Sequence, residues 1–258
     1  MTQLVQIIDH GPIRELKMSR PPVNAIDDQL SQDLITGVAQ AVADGARGIV
    51  LSGTERVFSA GMDVPYLLSH GNDLAALSRS WNLFFDAARA LAHSPVPVAV
   101  SMGGHSPAGG CVLALCCDYR VMARSADPAR PYAIGLNEVQ VGLPVPEGVQ
   151  RLLRRTVGAR TAERLLIGGG MVPTEQALKI GLIDELADGP EVTARAVAWL
   201  QSLLKLPSAP MLYTRAVGRA DLLEALRPEI LQLEAAIDMW HSPDAQAGLH
   251  ALATRLGK

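Results

Sequence analysis

Residues 96–118, VPVAVSMGGHSPAGGCVLALCCD, constrain what this chain can fold into more than any other stretch. The run 96–102 is apolar and β-rich, which predicts a buried strand. Gly103 and Gly104 break that strand, and a short loop, 105–108, follows. Gly109 and Gly110 then lead into residues 111–117, an apolar helix too short to span a membrane. A Gly-Gly pair at the start of a buried helix lets the main chain come close to whatever sits above it, because no side chain blocks the approach. The first N–H groups of a helix lack internal partners and carry its positive dipole end. Such a site suits developing negative charge on a bound oxygen. It equally suits a tight strand-to-helix packing turn, and this stretch alone supports both readings.

The rest of the chain supplies strands and helices in alternation. Residues 4–9 and 13–18 flank the turn signal His10-Gly11-Pro12 and predict a β-hairpin. Two prolines stiffen the loop Arg20-Pro21-Pro22-Val23-Asn24-Ala25. Asp27 or Asp28 caps a helix running to about Ala43, with Leu30, Leu34, Val38 and Val42 as its buried stripe. A strand follows at 47–52, then helices at 64–69 and 73–92. The second of these helices carries Leu77, Trp81, Phe84, Phe85 and Leu91, as core or as the wall of an apolar pocket. Residues 118–123 and 183–186 read as strands. Pro146 opens a helix to Val157, and Thr161 and Thr174 each precede a short helix that ends at glycine. From Pro190 on, helical patterns alternate with proline breaks at Pro207, Pro210, Pro228 and Pro243. The sum is an α/β core with a helical C-terminal appendage.

A chain of 258 residues, 48% of them apolar, has room for one large domain or one domain with an appendage. Its net charge of −3, with no basic stripe, argues against nucleic acid as a main partner. No apolar run reaches membrane-spanning length, which argues against a membrane partner. The amino-terminal MTQLVQIIDHGPI has neither a basic leader nor an apolar signal core. Cys111, Cys116 and Cys117 crowd one apolar helix and read as free core thiols, which fits a reducing, cytoplasmic setting.

Two further stretches carry chemistry. Val57-Phe58-Ser59-Ala60-Gly61-Met62-Asp63-Val64 places small residues in a loop directly after a strand, where a ligand can lie against the main chain or the chain can simply turn. Ile134-Gly135-Leu136-Asn137-Glu138-Val139-Gln140-Val141-Gly142 sets a lone carboxylate among apolar residues. In an apolar setting the pKa of Glu138 rises into the range of a proton-transfer base, whereas on a solvated loop it does nothing of the kind. Arg151, Arg154 and Arg155 read as a solvated helix face, and His105 as a loop histidine without a catalytic role.

Taken together, PPVNA at 21–25, FSAGMD at 58–63, SPAGGC at 106–111, CDYR at 117–120 and IGLNE at 134–138 resemble the crotonase, or enoyl-CoA hydratase/isomerase, superfamily over nearly the whole chain. Within it the chain is most similar to the Δ3,Δ2-enoyl-CoA isomerases. The resemblance implies an α/β fold in which residues 1–189 form a crotonase-like spiral of β-β-α turns holding an acyl-CoA site. Residues 190–258 then form a helical region that builds a homotrimer or a dimer of trimers. It implies an oxyanion hole made by the N–H groups of Met62 and Gly109, with Glu138 as the catalytic base. It also implies an acyl-CoA substrate bound along Val23, Ala25, Ser59, Ala60, Gly61, Asp63, Val64 and Gly110. Neither a metal nor a separate cofactor is implied, since coenzyme A enters as part of the substrate.

Position 112 departs from the hydratase pattern. Hydratases of this superfamily carry two glutamates, one three residues after the glycine of the oxyanion hole, and here that residue is Val112. The other matches Glu138. One carboxylate suffices to move a proton from C2 to C4 of a 3-enoyl thioester, which points to isomerisation to the trans-2-enoyl product. The alternatives are an enoyl-CoA hydratase, or a related activity, using Glu147 or a bound water, and a non-catalytic acyl-CoA-binding protein. Glu147 itself reads as an ordinary first-turn carboxylate at a helix N-terminus. Replacing Glu138 by glutamine is expected to lower kcat at least about a hundredfold and to change CoA affinity and thermal stability little.

Overall fold

The computed structural model describes residues 3–255. The first two residues of the amino-terminal stretch and the last three of the helical region lie outside the described residues. The expected hairpin forms from β1 (Val5–His10) and β2 (Ile13–Met18), which pair antiparallel. Asp27 caps α1 (Asp28–Ala43), its carboxylate accepting from the Leu30 N–H at 2.8 Å. Next come β3 (Gly48–Ser52), α2 (Val64–Leu68), α3 (Leu74–Ala92) and β4 (Val98–Met102). After them lie β5 (Ser106–Pro107), α4 (Gly109–Leu115), β6 (Tyr119–Ala123) and β7 (Ala133–Gly135). A 3₁₀ turn, Glu138–Val141, precedes α5 (Glu147–Val157), α6 (Ala159–Gly168), β8 (Val172–Pro173), α7 (Thr174–Lys179) and β9 (Glu185–Ala187). The remainder is helical: α8 (Val192–Leu203), α9 (Ser208–Gly218), α10 (Ala220–Ala225), α11 (Pro228–Leu231), α12 (Leu233–Trp240) and α13 (Pro243–Arg255).

The larger sheet has the order β1-β2-β3-β4-β6-β9 and is parallel beyond the hairpin. Both its faces are covered. Val98, Val100 and Met102 of β4 enter the main core with residues of α1, α3 and α4, while Ala99 joins Val50, Val121 and Leu200 beneath α8. A strand covered on both sides reads as a continuous apolar run, which is why 96–102 lacks alternation. A second sheet, β5-β7-β8, sits apart from the first. Its strands have two or three residues each, too short to leave a periodic signal.

The loops that leave β3 and β4 stack on one another. The Phe58 N–H donates to His105 O at 2.9 Å and the His105 N–H to Arg56 O at 3.0 Å. A Cβ on Gly104 would stand 1.9 Å from Arg56 O, so only glycine permits the stacking.

Several boundaries differ from the sequence expectation. α4 ends at Leu115, so Cys116 is its cap and Cys117 lies beyond it, because the chain must turn into β6 at Tyr119. All three thiols are buried and free. α6 starts at Ala159, ahead of Thr161, and Thr174 is the first residue of α7, its hydroxyl donating to Glu175 Oε2 at 2.9 Å. β9 starts at Glu185, since the Leu182 and Ile183 N–H groups close the end of α7 on Ala177 O. Pro210 does not break α9. It lies in the first turn, where a missing N–H costs nothing.

The helices after Gly189 are not a loose appendage. α8 packs on the sheet, and Leu222, Leu226, Leu231, Leu233, Trp240 and Leu249 are buried in the main core. Much of the apolar surface of the region expected to build a homotrimer is thus covered by the chain itself. Asp118 ties α9 down: its carboxylate accepts from Arg215 Nη2 at 2.9 Å, Arg219 Nη1 at 2.6 Å and the Val98 N–H at 2.8 Å. Among the described residues no helix is long and apolar enough to cross a membrane.

Candidate active site

The first wall of the site is the proline loop pinned to the loop after β3. Asn24 is fully buried, with φ of 50°. Its Nδ2 donates to Phe58 O at 3.0 Å, Ser59 Oγ donates to Asn24 O at 2.8 Å, and the Ala60 N–H donates to Val23 O at 3.0 Å. Ile26 then bridges Met62 in parallel fashion. The Ile26 N–H donates to Gly61 O at 2.8 Å, and the Asp63 N–H donates to Ile26 O at 2.9 Å. In that pattern the flanking residues make the bonds and the central one points away, so the Met62 N–H has no hydrogen-bond partner among the described residues.

The second wall is the start of α4. The Ala108 N–H donates to Gly135 O at 2.8 Å, which anchors the turn to β7. Ala108 then takes φ 45°, ψ −117°, a strained conformation for a residue with a Cβ, and this swings the next N–H out of the ladder. That N–H belongs to Gly109, the first residue of the helix, which has no intrahelical acceptor. The two free N–H groups lie side by side. A Cβ on Gly109 would stand 3.3 Å from Met62 N and 3.3 Å from Phe84 Cε2, and one on Gly61 would stand 3.2 Å from Gly109 N.

Between these walls is a cavity of about 380 Å³, lined mostly by apolar side chains. Met62, Gly109, Val112 and Glu138 all border it. The residue Glu138 is half-buried as a whole, yet its Oε2 is shut off from solvent and has no hydrogen-bond partner among the described residues. Burial pushes its carboxyl from 4.5 up to about 7, against a smaller downward pull from its own main-chain N–H. No charged side chain contributes to that shift. The cavity's other ionisable groups, Arg20 and Asp63, are paired at 2.7 Å. An apolar chamber with one proton-accepting group and two unbonded main-chain donors can hold a carbonyl oxygen and move a proton beside it.

Residues 9–255 match the family model for enoyl-CoA hydratase/isomerase. This chain belongs to the enoyl-CoA hydratase/isomerase family. It is 30% identical over 98% of its length to the mitochondrial enoyl-CoA delta isomerase 1 of Rattus norvegicus, covering 86% of that protein. It is 32% identical over 85% of its length to a probable enoyl-CoA hydratase of Mycolicibacterium paratuberculosis, covering 82% of it. Among solved structures it is similar to the human mitochondrial delta3-delta2-enoyl-CoA isomerase, with a TM-score of 0.89 and 28% identity over 99% of this chain and 98% of that one. The crotonase-type spiral with a helical C-terminal region is therefore the fold of this family member.

In this enoyl-CoA hydratase/isomerase, Val23, Ala25, Ala60, Asp63 and Val64 line the cavity together with Met62, Gly109 and Glu138. Asp63 contributes little free charge there, since its carboxylate caps α2 at the Tyr66 N–H and pairs with Arg20. Ser59, Gly61 and Gly110 do not line the cavity. Ser59 Oγ also accepts from the Gly61 N–H at 3.1 Å, and Gly110 packs on Ser59, so these three hold the walls together from behind. Glu147 lies outside the cavity, paired with Arg151 at 3.0 Å in the first turn of α5. His105 also lies outside, its Nδ1 accepting from the Ala133 N–H at 3.2 Å. Trp81, Phe84 and Phe85 of α3 do border the cavity. The sequence reading missed Arg20 and the far wall, Trp240, Leu249 and Leu252. The spacing of Ala245, Leu249, Leu252 and Ala253 along α13 was the available signal, a helical stripe in a region read only as an assembly surface.

Proposed function

We propose that this protein is an enoyl-CoA isomerase that converts cis- or trans-3-enoyl-CoA to the trans-2-enoyl thioester. The observation that carries the reading is a single buried, unpartnered carboxylate, Glu138, sharing an apolar cavity with two free N–H groups. The Met62 and Gly109 N–H groups donate to the thioester oxygen as an oxyanion hole. Glu138 takes a proton from C2, negative charge moves onto that oxygen as a dienolate, and the same carboxyl returns the proton at C4. A base poised near neutrality suits both transfers, and preformed main-chain donors stabilise the charge without reorganising.

Val112 borders the cavity where the hydratases of the family have their other glutamate, and it offers nothing to orient water. Hydration by Glu147 is disfavoured by its pairing with Arg151. Coenzyme A enters as part of the substrate along Val23, Ala25, Ala60 and Val64, and the reaction needs no other cofactor. Tyr213 and Val217, both well exposed and one turn apart on α9, support a contact between copies in a homotrimer or a dimer of trimers. Three buried cysteines, none in a disulfide among the described residues, support a reducing, cytoplasmic setting.

The test is to assay the purified protein with 3-enoyl-CoA and crotonyl-CoA side by side. Faster double-bond migration than hydration is expected. Faster hydration overturns the isomerase reading, and tight CoA binding with neither reaction identifies a non-catalytic binding protein. Light scattering at micromolar concentration is expected to give a trimer or hexamer, and a monomer refutes the assembly.

A further inference from the structure

We propose that Gly142 and Gly248 are positioning residues, which seat α13 directly on the main chain of the Glu138 turn so that the helix fixes the carboxylate and keeps water from it. This rests on the reading of Glu138 as the proton shuttle.

α13 packs on α2 and also on the turn Glu138–Val141, and Leu249 and Leu252 project from it into the wall of the cavity. The contact with the turn is main chain on main chain, and it is reciprocal. A Cβ on Gly248 of α13 would stand 2.8 Å from Val141 O and 2.9 Å from Val141 C and Cα. A Cβ on Gly142, just after the turn, would stand 2.7 Å from Ala245 N and 2.8 Å from Ala245 Cα in α13. No side-chain rotation relieves either clash, so any larger residue must push the helix and the turn apart. Gly142 also has φ of 78°, and as the cap of the turn it donates its N–H to Val139 O at 3.2 Å, while the next N–H, that of Leu143, donates to Glu138 O at 3.1 Å. The approach therefore reaches the residue that carries the carboxylate.

The charged groups nearby do not explain the state of Glu138. Asp244, His250 and Arg255 on α13, and Arg160, Glu163 and Arg164 on α6, the other helix packed on this turn, all lie outside the cavity lining. Cys111, which faces Glu138 from α4, is a thiol that burial holds protonated. Exclusion of water is what remains, and α13 supplies part of it.

The experiment measures the pH dependence of kcat/KM and of kcat on 3-enoyl-CoA for wild type, Gly248→Ala, Leu252→Ala and Glu138→Gln, with a thermal melt of each. In the wild type, kcat/KM falls as pH drops through about 7, because the base of the free enzyme becomes protonated. In Gly248→Ala the acid limb moves to lower pH by about half a unit or more as water reaches the carboxylate. Its plateau kcat falls about tenfold through lost alignment, with a smaller change in KM. Leu252→Ala thins the same wall without touching the main chain and moves the limb in the same direction. If Gly248→Ala does not fold, a limb that Leu252→Ala leaves unmoved overturns the inference, because α13 then does not keep water from the carboxylate. Folded variants whose acid limb stays at the wild-type position overturn the inference, as does a change confined to KM. Near-wild-type activity of Glu138→Gln instead overturns the assignment of the base, whatever the glycine variant does.

Discussion

Replacing Glu138 by glutamine tests the chemistry and the energetics of its burial at once. Loss of a general base lowers kcat by about a hundredfold or more. Stability responds with a definite sign. Burial raises the folded-state pKa from 4.5 to about 7, so folding disfavours the ionised form. A group of this kind stabilises the fold fully below its unfolded pKa, and that contribution is lost as pH rises through the folded value. At 1.36 kcal/mol per unit, the ceiling on the loss is about 3 kcal/mol, and about 2 kcal/mol of it falls between pH 5 and pH 8. Glutamine does not titrate. Its own desolvation adds a constant to the comparison and cancels between the two pH values. The stability of Glu138→Gln relative to wild type is therefore expected to rise by about 2 kcal/mol from pH 5 to pH 8. At a single pH the change can still be small, as expected from the sequence; the pH dependence is what reports the burial of the carboxylate. Urea melts at the two pH values and steady-state assays on 3-enoyl-CoA make the measurement. A relative stability that is flat with pH refutes the desolvation argument, and near-normal kcat refutes the assignment of the base.

Three further outcomes follow from the geometry. Val112→Glu puts a carboxyl into a cavity wall that is now apolar, and is expected to cost a few kcal/mol, about 2–4, in a urea melt; it should also raise crotonyl-CoA hydration measurably above the wild-type rate, and no gain would show that position 112 does not decide between the reactions. Gly109→Ala keeps both N–H groups but sets a methyl 3.3 Å from Met62 N and Gly61 Cα; crowding the oxygen out of the pair is expected to lower kcat about a hundredfold, the scale of a lost oxyanion donor, with a modest drop in the thermal melt. Asp118→Ala leaves Arg215 and Arg219 without their carboxylate; a loss of about 3–5 kcal/mol of stability is expected by denaturant titration, with kcat preserved at a temperature where the variant is folded.

The secondary structure was legible because local patterns determine it. The hairpin, the Asp27 cap, the stripe of α1 and the buried run of β4 all follow from turn chemistry and periodicity within one stretch of chain. The five motifs were equally plain, and with them Glu138, Met62 and Gly109. The two-residue strands β5 and β8 were not, since two residues carry no period. Their pairing with β7 joins Ser106 to Ile134 and Ala133 to Pro173, segments far apart in the chain that meet only after folding. The direction of each site group also belongs to the tertiary structure. Met62 has a free N–H because Ile26 bonds to its neighbours, and Gly109 has one because Ala108 takes a positive φ. Sequence marks a carboxylate among apolar residues at 138, but a pKa near 7 requires walls from α3, α4, α5, α12 and α13 to exclude water around it. α13 shows the division most plainly. Its apolar stripe is visible in the sequence, yet the same stripe can cover a partner chain or a cavity. Gly142 and Gly248, distant in the chain, select the cavity because their missing side chains let the helix lie on the turn that holds Glu138.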